Sequence, residues 1–293
     1  MRNIIITGGR GLLATELTRR LLADGDCNLY LVSRSPQDIQ PADHLHAIEL
    51  GQLVDDKALR GLNYDAVVHT AFARGNDGRE LFASLSYTEA LLQAMRRLDV
   101  KSFINVSSQG IYGPDNHGVM WKETSRVAPG YPYTIAKSFS EVLTDAHLST
   151  MGVTHTNVRL ASIAQNARFL HVFVEKALAG EAITVMGGTQ RYSFIDVRDA
   201  AEGLITLLNN PGKQWRRVYN LGPGQSYALI DIALTVQKIA RGRCGHDVVI
   251  DRQPSDVKAS VGMDISCFIQ DFSWTPHYTL EDSINHLFST KET

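Results

Sequence analysis

The sequence predicts an α/β protein: a doubly wound parallel sheet with a smaller C-terminal α/β lobe. Three observations predict it. The β-branched run Ile4-Ile5-Ile6 passes through Thr7-Gly8-Gly9-Arg10-Gly11 directly into leucines at helical spacing, Leu12, Leu13, Leu17, Leu21 and Leu22. Strand-like and helix-like patterns then alternate from residue 3 to residue 160, which calls for a parallel sheet with helices on both faces. From about Ala161 the pattern breaks into shorter pieces.

In order, the first strand and its glycine turn have the parts of a pyrophosphate-binding loop. Gly8 suits a tight turn, Gly11 lets a phosphate approach the backbone, and Ala14 is small enough for close helix–strand packing. The helix N-terminus then presents free N–H groups and a positive dipole end to an anion. Asn28–Val32 reads as strand two, ending at Ser33-Arg34-Ser35-Pro36. Residues 46–50 give a short third strand that runs into Gly51-Gln52-Leu53, and Asp65–Ala71 gives a fourth. A helix is expected from about Leu81 to Leu98, strand five at Ser102–Val106, a helix from near Tyr133, and strand six at Thr154–Leu160. Beyond it, Phe169–Leu178 reads as helix, Ile183–Val185 as strand, Phe194–Leu208 as strand passing into helix, and Val218–Leu221 as strand. Leu229–Ala240 is helical, Asp247–Asp251 extended, and Leu280–Phe288 a last helix. The expected division is a dinucleotide-binding domain, 1–162 with about 191–221 returning to it, and a substrate lobe, 163–190 and 222–293, set over the carboxyl ends of the strands.

Of 293 residues, 44% are hydrophobic and 20% charged, and the net charge is −2. That balance gives no reason to expect nucleic acid or an anionic membrane as partner. No apolar run reaches the ~18 residues of a membrane span, and the apolar N-terminal run is too short for a signal peptide. Three scattered cysteines, Cys27, Cys244 and Cys267, with no C-x-x-C, predict reduced thiols, no zinc site and a cytoplasmic location. Ten histidines show no ligand spacing, so no metal is expected.

The chemistry sits in Tyr133-Thr134-Ile135-Ala136-Lys137, a phenol and an ammonium one helical turn apart. A nearby ammonium favours the phenolate, and a tyrosine so tuned can exchange a proton at a carbonyl or alcohol carbon. Ser108, at a strand end, can hydrogen-bond the same substrate oxygen and polarise it. At the end of strand two, an acid would bind the ribose 2′-hydroxyl of NAD, whereas a 2′-phosphate calls for a cation. Ser33 holds the acid's place and Arg34 follows, which favours NADP, with NAD as the alternative.

Thr7–Ala14, Asp65-Ala66-Val67-Val68-His69-Thr70-Ala71, Val106-Ser107-Ser108-Gln109-Gly110-Ile111-Tyr112-Gly113 and Tyr133–Lys137 together resemble an extended short-chain dehydrogenase/reductase of the NAD-dependent epimerase/dehydratase family. Weaker echoes are Phe194–Ala201, Tyr219-Asn220-Leu221-Gly222 and Trp274-Thr275-Pro276, so the likeness spans nearly the whole chain. The resemblance implies a Rossmann-like domain, a C-terminal substrate lobe and a catalytic Ser108–Tyr133–Lys137 triad, with Lys137 also holding the nicotinamide ribose. It implies cofactor contacts from Gly8, Gly11, Leu12, Ser33, Arg34, Gln52, Leu53, Ala71, Tyr133, Lys137 and Leu160. It further implies a nucleotide-linked sugar substrate, often handled through a 4-keto form, and a homodimer formed through two helices of the first domain. Candidates to line the substrate pocket are Phe72, Arg74, Trp121, Asn166, Arg168, Phe169 and Arg191.

Departures from the family pattern bear on the reaction. Gln52 stands where an Asp usually contacts adenine, Leu160-Ala161-Ser162 replaces a Pro-x-Asn, and Arg191 is one place off the arginine that grips the substrate pyrophosphate. Dehydratases of the family carry Asp-Glu just after the serine; here Gln109-Gly110 stand there, with no acid to assist water loss. The expected activity is therefore NADP-dependent reduction of a keto group, with a 4-keto nucleotide sugar as the expected substrate. The alternatives are NAD(P)-dependent epimerisation of a nucleotide sugar and a non-catalytic NADP-binding regulatory protein.

Overall fold

Seven strands form the central sheet: β1 (Arg2–Thr7), β2 (Cys27–Val32), β3 (Leu45–Ile48), β4 (Ala66–His69), β5 (Ser102–Ser108), β6 (Thr154–Leu160) and β7 (Val218–Leu221). Their spatial order is β3-β2-β1-β4-β5-β6-β7. The pairs β1–β2, β2–β3, β1–β4 and β4–β5 are parallel. The computed structural model describes residues 1–211, 213–245 and 247–291.

Ile4, Ile5 and Ile6 are all buried, as a strand covered on both faces requires. Helix α1 (Leu12–Asp24) joins β1 to β2 on one side, while α2 (Gly78–Met95) joins β4 to β5 on the other. Right-handed crossovers in opposite directions put those helices on opposite faces, which is the doubly wound arrangement. The face of α2 and α3 (Pro132–Leu148) packs Ile5, Tyr30, Val67 and Phe103 against Leu91, Leu92, Met95 and Leu148. Helix α2 starts three residues before the expected Leu81 because Asp77 accepts from the Arg79 and Glu80 N–H groups and so caps the first turn.

The chain packs as two compact units: Met1–Ile111, Val127–Arg159 and Ala201–Tyr219 make one, and Tyr112–Arg126, Leu160–Ala200 and Asn220–Thr293 the other. The second unit contains α4 (Arg168–Leu178), the start of α5 (Val197–Leu208), α6 (Leu229–Cys244), α7 (Ser266–Phe272) and α8 (Leu280–Lys291). Strand Ile183–Met186 pairs in parallel with Ile250–Gln253. Its core holds Phe173, Val174, Ile183, Val185, Ile232, Val236, Ile284 and Phe288. The extended piece expected at Asp247–Asp251 begins at Ile250, because its register is set by pairing with Ile183. Helix α7 has no sequence counterpart; it is one short turn pair held by Phe268, whose ring is tilted against Phe272 and meets Trp274 edge-on.

A buried carboxylate organises this unit. Asp196, with a fully buried side chain, takes both ends of the Arg198 guanidinium at 2.8 and 2.9 Å, Gln165 Nε2 at 2.7 Å and Ser283 Oγ at 2.8 Å. Burial alone would raise its pKa, but these donors outweigh that and hold it down to about 2. A depressed carboxylate stabilises the fold above its unfolded value of about 3.9, and that contribution is lost as pH falls through about 2. Asp196→Ala is expected to lower stability by about 3 kcal/mol, measured as a shift of the urea midpoint, and to flatten the acid limb of the stability curve.

Candidate active site

The strand register collects the sequence-predicted residues on one edge. Thr7 lies beside Val32 and His69, Val32 beside Ile48, and His69 beside Asn105. Gly8, Ser33 and Thr70 therefore leave the sheet together at its carboxyl edge, while β5 runs on to Ser108 beside them, where open α/β sheets bind ligands. Gly8 adopts φ +75°, donates to the Val32 carbonyl at 3.1 Å, and a Cβ there would stand 2.9 Å from Ala71 Cα. Only glycine meets both conditions. Gly11 caps α1 with no side-chain acceptor and no acid in the first turn, so the N–H groups of that turn lack intrahelical partners. Leu12 opens the helix, partly exposed, and Ala14 is fully buried.

A buried hydrogen-bond chain fixes this edge. Thr7 Oγ1 accepts from the Thr70 and Ala71 N–H groups, each at 3.2 Å, and lies 2.8 Å from His69 Nδ1. His69 Nε2 lies 2.9 Å from Thr88 Oγ1, whose own proton goes to the Ser84 carbonyl. Thr88 must then accept, so His69 carries its proton on Nε2 and receives the Thr7 hydroxyl at Nδ1. Burial first, and the Lys137 amine second, hold His69 down to about 3, so it stays neutral.

Ser108 ends β5 and its side chain is hydrogen-bonded to Tyr133. Its Oγ also accepts the Gly110 N–H at 3.1 Å. Tyr133 and Lys137 lie on α3, whose first turn is fixed by Pro132 and by Thr134 Oγ1, which accepts the Tyr131 N–H at 3.1 Å. The Tyr133 N–H is taken by Asn76 Oδ1 at 3.1 Å. Phe72 bridges the two functional side chains: its ring meets Tyr133 edge-on at 6.2 Å and carries the Lys137 Nζ 4.0 Å from its centroid. Since Gly8 touches Ala71 and Phe72 follows it, the glycine turn and the phenol–ammonium pair are neighbours. Lys137 donates to the Val106 carbonyl at 2.7 Å.

The electrostatics correct one expectation. Burial pushes the Tyr133 phenol above its usual value, and the forces that oppose it come from Arg74 and Ser108 rather than from Lys137. The Lys137 amine is itself held down to about 7 by burial, with Glu141 pulling it back up.

Other predicted residues fall in several places. Ser33 Oγ accepts the Ser35 N–H at 3.2 Å. Arg34 is exposed, and no hydrogen bond or ion pair of its side chain is found among the described residues. The neighbouring cation of the glycine turn, Arg10, is paired with Asp38 at 2.7 Å. Gln52 uses its Oε1 to accept the Glu49 N–H at 2.7 Å, and the Leu53 side chain is in the core, so it offers a ligand only backbone. Leu160 ends β6, buried.

In the second unit, Asn166 closes the turn Ala164–Asn166 and Arg168 opens α4, exposed. Arg191 donates through Nε to Ser226 Oγ at 3.0 Å and through Nη2 to the Ser226 carbonyl. Of the other proposed pocket residues, Trp121 is buried and stacked on Tyr112, and Phe169 packs among Phe173, Tyr192 and Phe194.

Sequence reasoning missed Thr7, His69, Asn76 and Gly110 as builders of the edge. Gly110 carried a signal, because it falls where the family resemblance places an acid in dehydratases. A Cβ there would lie 2.8 Å from Thr134 Cγ2.

The residues present fit a dinucleotide: a Cβ-free cradle at Gly8 and, among the described residues, a helix N-terminus with no side-chain cap and an exposed cation after β2 with no ion pair. Comparison with known proteins agrees. Residues 4–222 match the NAD dependent epimerase/dehydratase family. The chain is 24% identical over 306 residues to the low-salt glycan biosynthesis protein Agl12 of Haloferax volcanii, covering 96% of each. It is 25% identical over 309 residues to a dTDP-glucose 4,6-dehydratase of Streptomyces griseus, covering 96% of this chain and 92% of that one. The fold matches the crystal structure of UDP-glucuronic acid 4-epimerase from Bacillus cereus, in complex with UDP-glucuronic acid and NAD, with TM-score 0.83, 19% identity and 99% of each chain covered. With its glycine turn, serine-ended strand and Tyr-x-x-x-Lys helix meeting on one sheet edge, this chain belongs to the NAD dependent epimerase/dehydratase family and is an enzyme of the extended short-chain dehydrogenase/reductase type.

Proposed function

We propose that the chain is an NADP-dependent reductase of a keto group on a nucleotide-linked sugar. The carrying observation is the Ser108–Tyr133 hydrogen bond beside Lys137, at the edge that also holds the glycine turn. When bound, the dinucleotide supplies the hydride. Tyr133, kept protonated by burial, donates its phenolic proton to the ketone oxygen, and the Ser108 hydroxyl polarises that oxygen. Lys137 holds the nicotinamide ribose. Gly8, Gly11 and Leu12 cradle the pyrophosphate, and Gln52, Leu53 and Ala71 line the rest of the cofactor. Phe72 and Arg74 contact the substrate. Gln109-Gly110 offers no acid for dehydration.

Arg34 supports NADP and hence net reduction, since it is the cation after β2 that no carboxylate neutralises among the described residues. Fluorescence titration with NADPH and NADH tests this. NADPH is expected to bind more tightly, and Arg34→Ala to reduce that preference by about tenfold, the weight of one charge-assisted contact of roughly 1.5 kcal/mol. Tighter NADH binding, or co-purifying NAD⁺, would favour the epimerase. Cofactor binding without turnover across a panel of keto sugars would favour the regulatory reading.

The homodimer is proposed to form through α2 and α3. Ile135, Phe139 and Val142 lie on one face of α3 and are at least half exposed, as is Phe82 of α2. An apolar stripe of this kind marks an interaction surface. Phe139→Glu is expected to convert the dimer to monomer in sedimentation velocity, with an unchanged circular dichroism spectrum. Among the described residues no helix is long and apolar enough to cross a membrane.

A further inference from the structure

One helical turn beyond Lys137, Glu141 is buried and takes both ends of the Arg159 guanidinium, Nε to Oε1 at 3.1 Å and Nη2 to Oε2 at 2.9 Å. The two side chains are only 7% and 10% exposed. Withdrawing both ions from water costs several kcal/mol each, so a buried pair adds little stability over apolar residues of the same size. The position suggests what it does instead. Lys137 and Glu141 stand at i and i+4, on one face of α3, and both are buried. Among the described residues, the other groups found against Lys137 carry no negative charge: the Phe72 ring from the loop after β4, neutral His69 on β4, the Val106 carbonyl on β5 and the protonated Tyr133 on its own helix. Arg159 reaches in from β6 behind Glu141.

We propose that Glu141, clamped by Arg159, is a positioning residue that keeps the buried Lys137 amine charged, while Arg159 limits how strongly it does so. The functional meaning rests on the reading of Lys137 given above; the titration itself does not. Glu141 acts against the burial that holds Lys137 near neutrality. Removing Glu141 leaves an uncompensated Arg159 cation beside a buried amine, which then loses its proton more easily. Removing Arg159 leaves Glu141 at full strength, and the amine keeps its proton to higher pH. A purely structural pair would not move Lys137 in opposite directions.

The test is ¹⁵Nζ NMR of the lysine-labelled full chain between pH 5 and 10, with the Lys137 signal assigned through Lys137→Arg. Glu141→Gln is expected to lower the Lys137 midpoint by about one unit, and Arg159→Met to raise it by about one unit, the low end for a close charge. Arg159→Lys, which keeps the charge, is expected to stay near the parent and gives a second reading should Glu141→Gln fail to fold. Unmoved midpoints, or shifts of the same sign, would overturn the proposal. NADPH titration of the same proteins separates the two readings. Shifted midpoints with an NADPH affinity indifferent to pH would uphold the clamp and remove Lys137 from the cofactor.

Discussion

Tyr133→Phe is expected to lower turnover by about 10²- to 10⁴-fold, the range for loss of a positioned proton donor, and to leave NADPH affinity unchanged. The hydroxyl is the one part removed. Its partner Ser108 retains the Gly110 N–H, and the ring retains its edge contact with Phe72, so the site keeps its shape. The sign of the pH dependence follows from burial, which raises the phenol above its ordinary value near 10. The donor form therefore persists across neutral pH, and reduction in the parent is expected to stay flat from pH 6 to 9 as far as Tyr133 sets it. Steady-state turnover on the best substrate from a keto-sugar panel, with fluorescence titration of cofactor, checks both parts. Retained turnover would show that another group delivers the proton.

Gly110→Ala is expected to cost about 10²-fold in turnover, the effect of displacing a reacting group by about an ångström. The added Cβ would stand 2.8 Å from Thr134 Cγ2. Thr134 cannot turn away freely, because its Oγ1 accepts the Tyr131 N–H and donates to the Tyr131 carbonyl, fixing the first turn of α3. The helix start must then retreat from the Ser108 loop, and Tyr133, next to Thr134, goes with it. The companion change Thr134→Ser removes Cγ2 and keeps the cap, so the double variant is expected to recover most of the lost turnover. Recovery of that kind is a coupling that independent sites do not show. Thermal melts on both variants separate misplacement from unfolding.

The fold was legible wherever local pattern and tertiary environment agree. Strands at Thr154–Leu160 and Val218–Leu221 coincide with expectation because β-branched and aromatic residues there (Thr154, Thr156, Val158, Val218 and Tyr219) suit the extended backbone that the sheet buries. The pairing of Ile250–Gln253 was not legible, since it owes its existence to a distant partner, Ile183, and helix α7 was not, because its seven residues are too few to show a helical period. Among the site residues, Ser108, Tyr133 and Lys137 were readable because their spacing carries chemistry. Thr7, His69 and Thr88 were not, because a buried hydrogen-bond chain joins residues up to 62 positions apart that look unremarkable in sequence.

By itself, the sequence determined the family, the parallel sheet, the glycine turn and the residues able to move a proton, because each depends on side-chain type and short-range spacing. Tertiary structure alone decided which charges and hydrogen bonds act on those residues: the Arg74 charge and the Ser108 hydroxyl on Tyr133, and Glu141 with its Arg159 partner on Lys137. The physical reason is that proton affinity depends on burial and on charges a few ångströms away, and residues from different strands and loops reach those distances only when the chain has folded.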